Sequence, residues 1–250
     1  MRLHVLHCGG DRTPLSMSDP LGPDPGRLVY SPLLCSVVEH PDGNVLFDTG
    51  FHPRWLEVGS LGDMTIELSE DDLIDRRLAE IGLTPSDIGV VLLSHLHSDH
   101  AGGLEHFSHA EIVVQRLERE FAEQPPAYQA ALYDARDFDL ELRWRELDGE
   151  FDVFGDRAIV LTPTPGHTPG HQSAIVSLPQ ATVVLGGDVS YHLEPMRARR
   201  LPAVVWAADP MLASWLKLEA VERERDAQIV LSHEVSFREN IRLAPGAHYG

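Results

Sequence analysis

The sequence predicts an α/β fold, because short apolar runs alternate with segments of helical periodicity along its whole length. Two further observations sharpen the expectation. No linker, repeat, low-complexity segment or shift of composition divides the 250 residues, so one domain over 1–250 is expected. Several apolar runs lead into a histidine or an aspartate, and the carboxyl ends of strands are where α/β folds commonly gather a site.

Residues 1–7 read as a first strand, and without the basic, apolar and small-residue pattern of a signal peptide a cytoplasmic location is expected. Residues 13–32 are rich in Pro, Gly, Ser and Asp and are expected to form a long loop. Apolar runs at 33–39 and 44–47 flank His40-Pro41-Asp42-Gly43, a strand–turn–strand signature, and Asp48-Thr49-Gly50 leaves the second strand. Ser69 as N-cap, apolar residues at helical spacing and Gly82 as a stop predict a helix over 70–81. Strands follow at 88–93 and 112–114, then a mostly helical stretch over 116–135 broken near Pro125-Pro126. The second half predicts strands at 158–161, 173–176 and 182–185, an amphipathic helix over 210–225 and a last strand at 228–231.

Composition narrows the function. At 43% hydrophobic residues, and with no apolar stretch near the roughly 18 residues a membrane span needs, a soluble protein without a membrane partner is expected. A formal charge of −19 argues against nucleic acid, whose binding draws on clustered Lys and Arg. The single basic cluster, Arg197-Ala198-Arg199-Arg200, reads as a solvated or substrate-side loop. Cys8 and Cys35 are too few for a disulfide framework and, beside apolar runs, are expected as reduced, packed thiols.

The chemistry concentrates in Ser94-His95-Leu96-His97-Ser98-Asp99-His100-Ala101-Gly102-Gly103. His95 and His97 are two residues apart, so an extended backbone aims both imidazoles to one side, and Asp99 and His100 follow as the chain turns. Imidazole nitrogens and carboxylate oxygens suit Zn²⁺ and neighbouring divalent ions, and a catalytic site keeps a coordination position open for water.

The pattern His95-x-His97-x-Asp99-His100, followed in order by Gly166-His167, Asp188 and His233 and preceded by Asp48-Thr49-Gly50, resembles the metallo-β-lactamase superfamily. That resemblance implies an αββα sandwich, two mixed β-sheets flanked by helices, with the site between the edges of the sheets. It implies that His95, His97 and His167 hold one metal, that Asp99, His100 and His233 hold the other, and that Asp188 bridges them. His171 is expected to orient the site without ligating, and Asp48 to hydrogen-bond a ligand or brace the loop, without ligating itself. His7, His52, His106, His109 and His192 are expected at the surface or in packing.

Glyoxalase II shares the ligand pattern but resembles a longer chain. The segments Asp188-Val189-Ser190-Tyr191, Val113-Val114-Gln115-Arg116 and 165–173 are similar to the N-acyl homoserine lactone lactonases that quench quorum sensing. The resemblance implies two divalent ions, zinc by default, activating a bridging hydroxide that opens a small-molecule lactone. Tyr191 is then expected to stabilise the oxyanion and Asp99 to shuttle the proton, and a homodimer is expected. Another lactone or ester hydrolase, such as a 4-pyridoxolactonase-like enzyme or a thioesterase, is the alternative. Ser98 and the short segment 51–66 depart from the better-known lactonases. Met17, Phe51, Trp55 and Met64 are candidates either for an apolar pocket or for a cover over the core.

Overall fold

A computed structural model describes all residues, Met1–Gly250. The chain opens with β1 (Arg2–Pro14), β2 (Leu28–His40) and β3 (Gly43–Phe47), then α1 (Trp55–Val58) and the short strands β4 (Ser60–Leu61) and β5 (Met64–Glu67). Next come α2 (Ile74–Glu80), β6 (Ile88–Leu92), α3 (Ser98–Ala101), β7 (Glu111–Gln115), α4 (Arg116–Glu123), α5 (Ala135–Phe138) and β8 (Arg143–Leu147). The second half supplies β9 (Phe151–Asp152), β10 (Ile159–Pro163), β11 (Gln172–Ser177), β12 (Thr182–Gly187), α6 (Leu193–Arg197), α7 (Ala208–Arg225), β13 (Ala227–Leu231) and α8 (Phe237–Asn240).

The strands form two mixed sheets. One runs β4-β5-β1-β2-β3-β6-β7-β8, antiparallel up to β3 and parallel beyond it; the other runs β13-β12-β11-β10-β9, parallel only between β12 and β13. Side chains alternate between the faces of a strand, and here both faces are covered. Leu6, Leu33, Val37, Val91 and Val114 pack outward with Ile74 and Leu78 of α2. Leu3, Leu34, Val38, Leu92 and Val113 pack inward against Leu161, Ala174, Val183 and Leu185 of the second sheet. Val184, Ile229 and Leu231 face the opposite way, onto Met211, Trp215 and Leu218 of α7. Helix, sheet, sheet and helix therefore stack in the αββα order that the resemblance implies. No helix is long and apolar enough to cross a membrane.

Several boundaries differ from expectation. The loop expected over 13–32 is shortened from both ends, because β1 continues to Pro14 and β2 begins at Leu28. β1 does so through a bulge between His7 and Gly10, with Gly9 at φ 81° and Ser31 O only 2.2 Å from where a Cβ on Gly10 would sit. The helix expected over 70–81 is a 3-10 turn, Glu70–Asp72, followed by α2, because Leu73 between them is extended at ψ 147°. Ser69 and Asp72 close that turn as a capping box. Helix α4 ends at Glu123, ahead of the prolines, and only the 3-10 turn Ala130–Leu132 and α5 follow. Edge strand β8 escapes the sequence reading because Arg143, Arg145 and Glu146 decorate it, as charges commonly do on sheet edges.

Candidate metal centre

Parallel strands β3 and β6 end side by side and deliver the first half of the site. Asp48, directly after β3, adopts φ 60°, a left-handed conformation that Asp tolerates better than most residues. Its carboxylate accepts the Ser94 backbone N–H at 2.7 Å, the Ser94 hydroxyl at 2.8 Å and His100 Nδ1 at 2.8 Å. Ser94 Oγ lies 2.9 Å from His95 Nδ1, so one aspartate orients both imidazoles. Helix α3 starts right after His97, placing Asp99 and His100 in its first turn. The glycines behind it are required by close approach: a Cβ on Gly102 would lie 2.2 Å from His52 N, and one on Gly103 2.5 Å from Thr49 O.

The second sheet delivers the other half. His167 follows β10, Asp188 follows β12 and His233 follows β13. His171 accepts the Asp188 backbone N–H at Nε2, 3.0 Å, and donates from Nδ1 to Thr164 O, 3.1 Å, so it holds the aspartate without ligating. His233 donates from Nδ1 to Pro32 O at 2.8 Å, which turns Nε2 to the site. Buried Glu118 of α4 ties the halves together, accepting from Leu96 N, Tyr133 OH and Thr168 Oγ1 at 3.0, 3.0 and 2.6 Å.

Seven side chains converge. His95 Nε2, His97 Nδ1 and His167 Nε2 form one group, with His97 Nδ1 2.9 and 3.1 Å from the other two. Asp99, His100 and His233 form another, with Asp99 Oδ2 3.5 Å from His100 Nε2 and 3.4 Å from His233 Nε2. Asp188 stands between them: Oδ2 is 3.6 Å from His167 Nε2 and 3.3 Å from His233 Nε2, and Oδ1 is 3.4 Å from His100 Nε2. His100 also groups with His95 and Asp188, so its ring borders both clusters.

A divalent cation fits this arrangement. His100 Nε2 and Asp188 Oδ1 are buried without a hydrogen-bond partner, and such atoms are rare in folded proteins unless something else satisfies them. A first-row ion with ligands at about 2.0–2.1 Å sets neighbouring ligand atoms roughly 3–3.5 Å apart, close to the separations observed. The charge state agrees. Burial, reinforced by neighbouring imidazoles, pushes His95 and His97 well below the usual histidine range, and burial lowers His167, so their lone pairs are free. His100 and His233 go the other way: burial opposes it, but Asp99 and Asp188 raise His100 well above its ordinary value and His233 to about 10. Those carboxylates keep both imidazoles protonated, and a metal ion binding there would displace the protons.

A cleft of about 720 Å³, open solvent included, leads to Asp99, Asp188 and His233. Met17, Phe51, Trp55, Leu61, Met64 and Ile66 line it. Phe51 and Trp55 belong also to the outer core, so the pocket wall and the core cover are the same residues there. Tyr191 sits at the inner end, its ring 5.6 Å from that of His167 and 5.4 Å from that of His233. Burial, with Asp188 and Asp99, pushes its phenol well above the ordinary value, so it remains a donor.

The profile of the Metallo-beta-lactamase superfamily matches residues 31–233. The chain belongs to the metallo-β-lactamase superfamily. Among its relatives in the superfamily, it is similar to N-acyl homoserine lactonase AttM of Azorhizobium caulinodans, 31% identical over 222 residues and 84% of each chain. It is similar to N-acyl homoserine lactonase AiiA of Bacillus thuringiensis subsp. kurstaki, 29% identical over 88% of each chain. A solved N-acyl homoserine lactone hydrolase, with the product N-hexanoyl-L-homoserine bound at its catalytic metal centre, superposes with a TM-score of 0.88 at 27% identity over 98% of each chain.

Every superfamily ligand position read from the sequence falls in the cluster, with Tyr191 beside it. The histidines set aside stay outside: His52 pairs with Glu105, His109 contacts Ile88 O, and buried His192 packs its Nε2 on Ser18 Oγ. Arg197, Arg199 and Arg200 are engaged by Glu219, Glu222, Glu194 and Asp19, so they form no free basic patch. Sequence reasoning missed Glu118 and the pocket residues Asp11 and Thr13. The available signal for Asp11 was a carboxylate within an apolar strand, next to Gly9-Gly10.

Proposed function

We propose that this protein is a dinuclear metal-dependent lactonase that opens the ring of N-acyl homoserine lactones. The observation that supports the reading is the convergence of seven His and Asp side chains, Asp188 standing between their two groups, at the inner end of an apolar cleft. Two zinc ions are the occupants best suited to its imidazole-rich donor set, one held by His95, His97 and His167, the other by Asp99, His100 and His233. Such ions supply Lewis acidity and lower the pKa of water from about 15.7 to about 7.

The chain's own residues supply the rest. The apolar cleft accepts an acyl chain and excludes water from the reacting ester. Tyr191, kept protonated, donates to the carbonyl oxygen as negative charge develops there. Asp99, the partly exposed carboxylate of the cluster, is positioned to pass the proton of the attacking water to the departing ring oxygen. Tyr191→Phe is expected to retain metal and lower kcat by up to about 10²-fold, measured by proton release beside metal analysis. Undiminished turnover would take Tyr191 out of the chemistry.

The reading is tested with a substrate panel on metal-loaded protein: acyl homoserine lactones of short and long chain, 4-pyridoxolactone, a simple γ-lactone and a glutathione thioester. Turnover of the acyl homoserine lactones, abolished by a chelator, is the expected result. Silence there with hydrolysis of another panel member moves the assignment to that compound. Buried, free Cys8 and Cys35 fit a reducing compartment and support the cytoplasmic expectation. The homodimer implied by the resemblance is tested by sedimentation equilibrium.

A further inference from the structure

Three residues that line the cleft each carry a buried polar atom with no hydrogen-bond partner: Asp11 Oδ1, Thr13 Oγ1 and Trp55 Nε1. None belongs to the ligand cluster. Asp11 is 5% exposed, and burial pushes its carboxyl up to about 7, against the pull of His233. A carboxylate held this way destabilises the fold, and such groups concentrate at functional sites.

The backbone places Asp11 beside the metal cluster. It pairs across the sheet with Ser31, whose Oγ lies 3.2 Å from Nδ1 of the ligand His233. Thr13, two residues on, shares the same face of β1. The neighbouring Arg12 points away and pairs with Glu67, so no cation of β1 neutralises Asp11. The remaining wall, Met17, Phe51, Leu61 and Met64, is apolar. A polar step thus adjoins the reacting end of an apolar channel.

An N-acyl homoserine lactone has a matching group. The ester ring offers only acceptors and the acyl chain offers neither donor nor acceptor, whereas the amide between them carries one N–H and one carbonyl. We propose that Asp11, with Thr13 and the Trp55 indole, forms a subsite for that amide, the Asp11 carboxylate accepting its N–H and the Trp55 N–H donating to its carbonyl. The inference rests on the lactonase reading and deepens it: Asp11 is a specificity residue that selects amide-bearing lactones over plain alkyl lactones. A site with a buried polar group rejects an analogue that leaves the group unpaired.

The test compares kcat/KM for N-hexanoyl-homoserine lactone with that for a γ-alkyl lactone of matched length, in the native protein, Asp11→Ala and Asp11→Asn. The native preference is expected to fall roughly tenfold or more in Asp11→Ala, mostly through KM, as expected for a lost hydrogen bond to a charged group. Asp11→Asn, whose side-chain oxygen still accepts, is expected to keep part of the preference. Metal content is expected to be unchanged, and Asp11→Ala is expected to melt no lower than the native protein, since it removes a buried unpaired carboxyl. A purely structural Asp11 would instead lower the melting temperature and scale both substrates together.

A preference in Asp11→Ala within twofold of native, while native turns over the acyl homoserine lactone, overturns this inference and leaves the lactonase reading standing. Failure of the native protein on every acyl homoserine lactone overturns both.

Discussion

Asp188→Asn is expected to lose bound divalent metal and lactone turnover together, the latter by roughly a thousandfold or more, because several kcal/mol of transition-state stabilisation goes with the ions. Asp188 is the one side chain whose oxygens face both ligand groups, at 3.3 Å from His233 Nε2, 3.4 Å from His100 Nε2 and 3.6 Å from His167 Nε2. The substitution replaces one carboxylate oxygen with an amide nitrogen that cannot ligate, and removes the charge that offsets the cations. It leaves in place the backbone N–H donated to His171 Nε2, so the loop after β12 should keep its course. Metal analysis after dialysis, beside proton-release kinetics and circular dichroism, reads the three quantities separately. A variant holding the full metal complement yet inactive would show that Asp188 acts on substrate instead of bridging; one keeping both would remove it from the centre.

The first half of the cluster was legible in the sequence because it depends on residue types at fixed local spacing, His95, His97, Asp99 and His100 falling within six positions, whereas His167, Asp188 and His233 came only with the family resemblance. Central strands were legible for a similar reason. Burial leaves the centres of β6, β7 and β12 as runs of Val, Ile and Leu, and that signal survives without tertiary context. What stayed hidden is set by long-range partners. Glu118 is fully buried while its neighbour Leu117 is 52% exposed, the reverse of what hydropathy predicts, because three donors from distant loops meet the carboxylate. The Gly170 position explains the approach: a Cβ there would lie 2.2 Å from Glu118 N. Asp11 was hidden similarly, since the strand reading stopped at residue 7 and the bulge that carries β1 onward depends on pairing with β2. Strand β8 required knowing that it lies at a sheet edge.

Trp215 on α7 is expected to carry the largest stability effect of any single truncation. Buried positions 211, 214, 215, 218 and 219 recur at helical spacing and lay α7 on the second sheet, and Trp215 is fully buried at its centre. Trp215→Ala is expected to cost about 3–5 kcal/mol through lost apolar contact and the cavity left behind. The indole has a second role, because its Nε1 donates to Val189 O, the carbonyl directly after Asp188. Trp215→Phe therefore separates the two: it keeps most of the volume but leaves a buried acceptor unpaired, at about 1–3 kcal/mol. Both variants are expected to bind metal more weakly, since that carbonyl helps fix the loop presenting Asp188. Urea unfolding of metal-free and metal-loaded protein reads this directly, because the ligand-induced increment reports affinity for the folded state. An increment unchanged in Trp215→Phe would confine α7 to packing. A cost below about 1 kcal/mol in Trp215→Ala would mean that the second sheet holds the site without its outer helix.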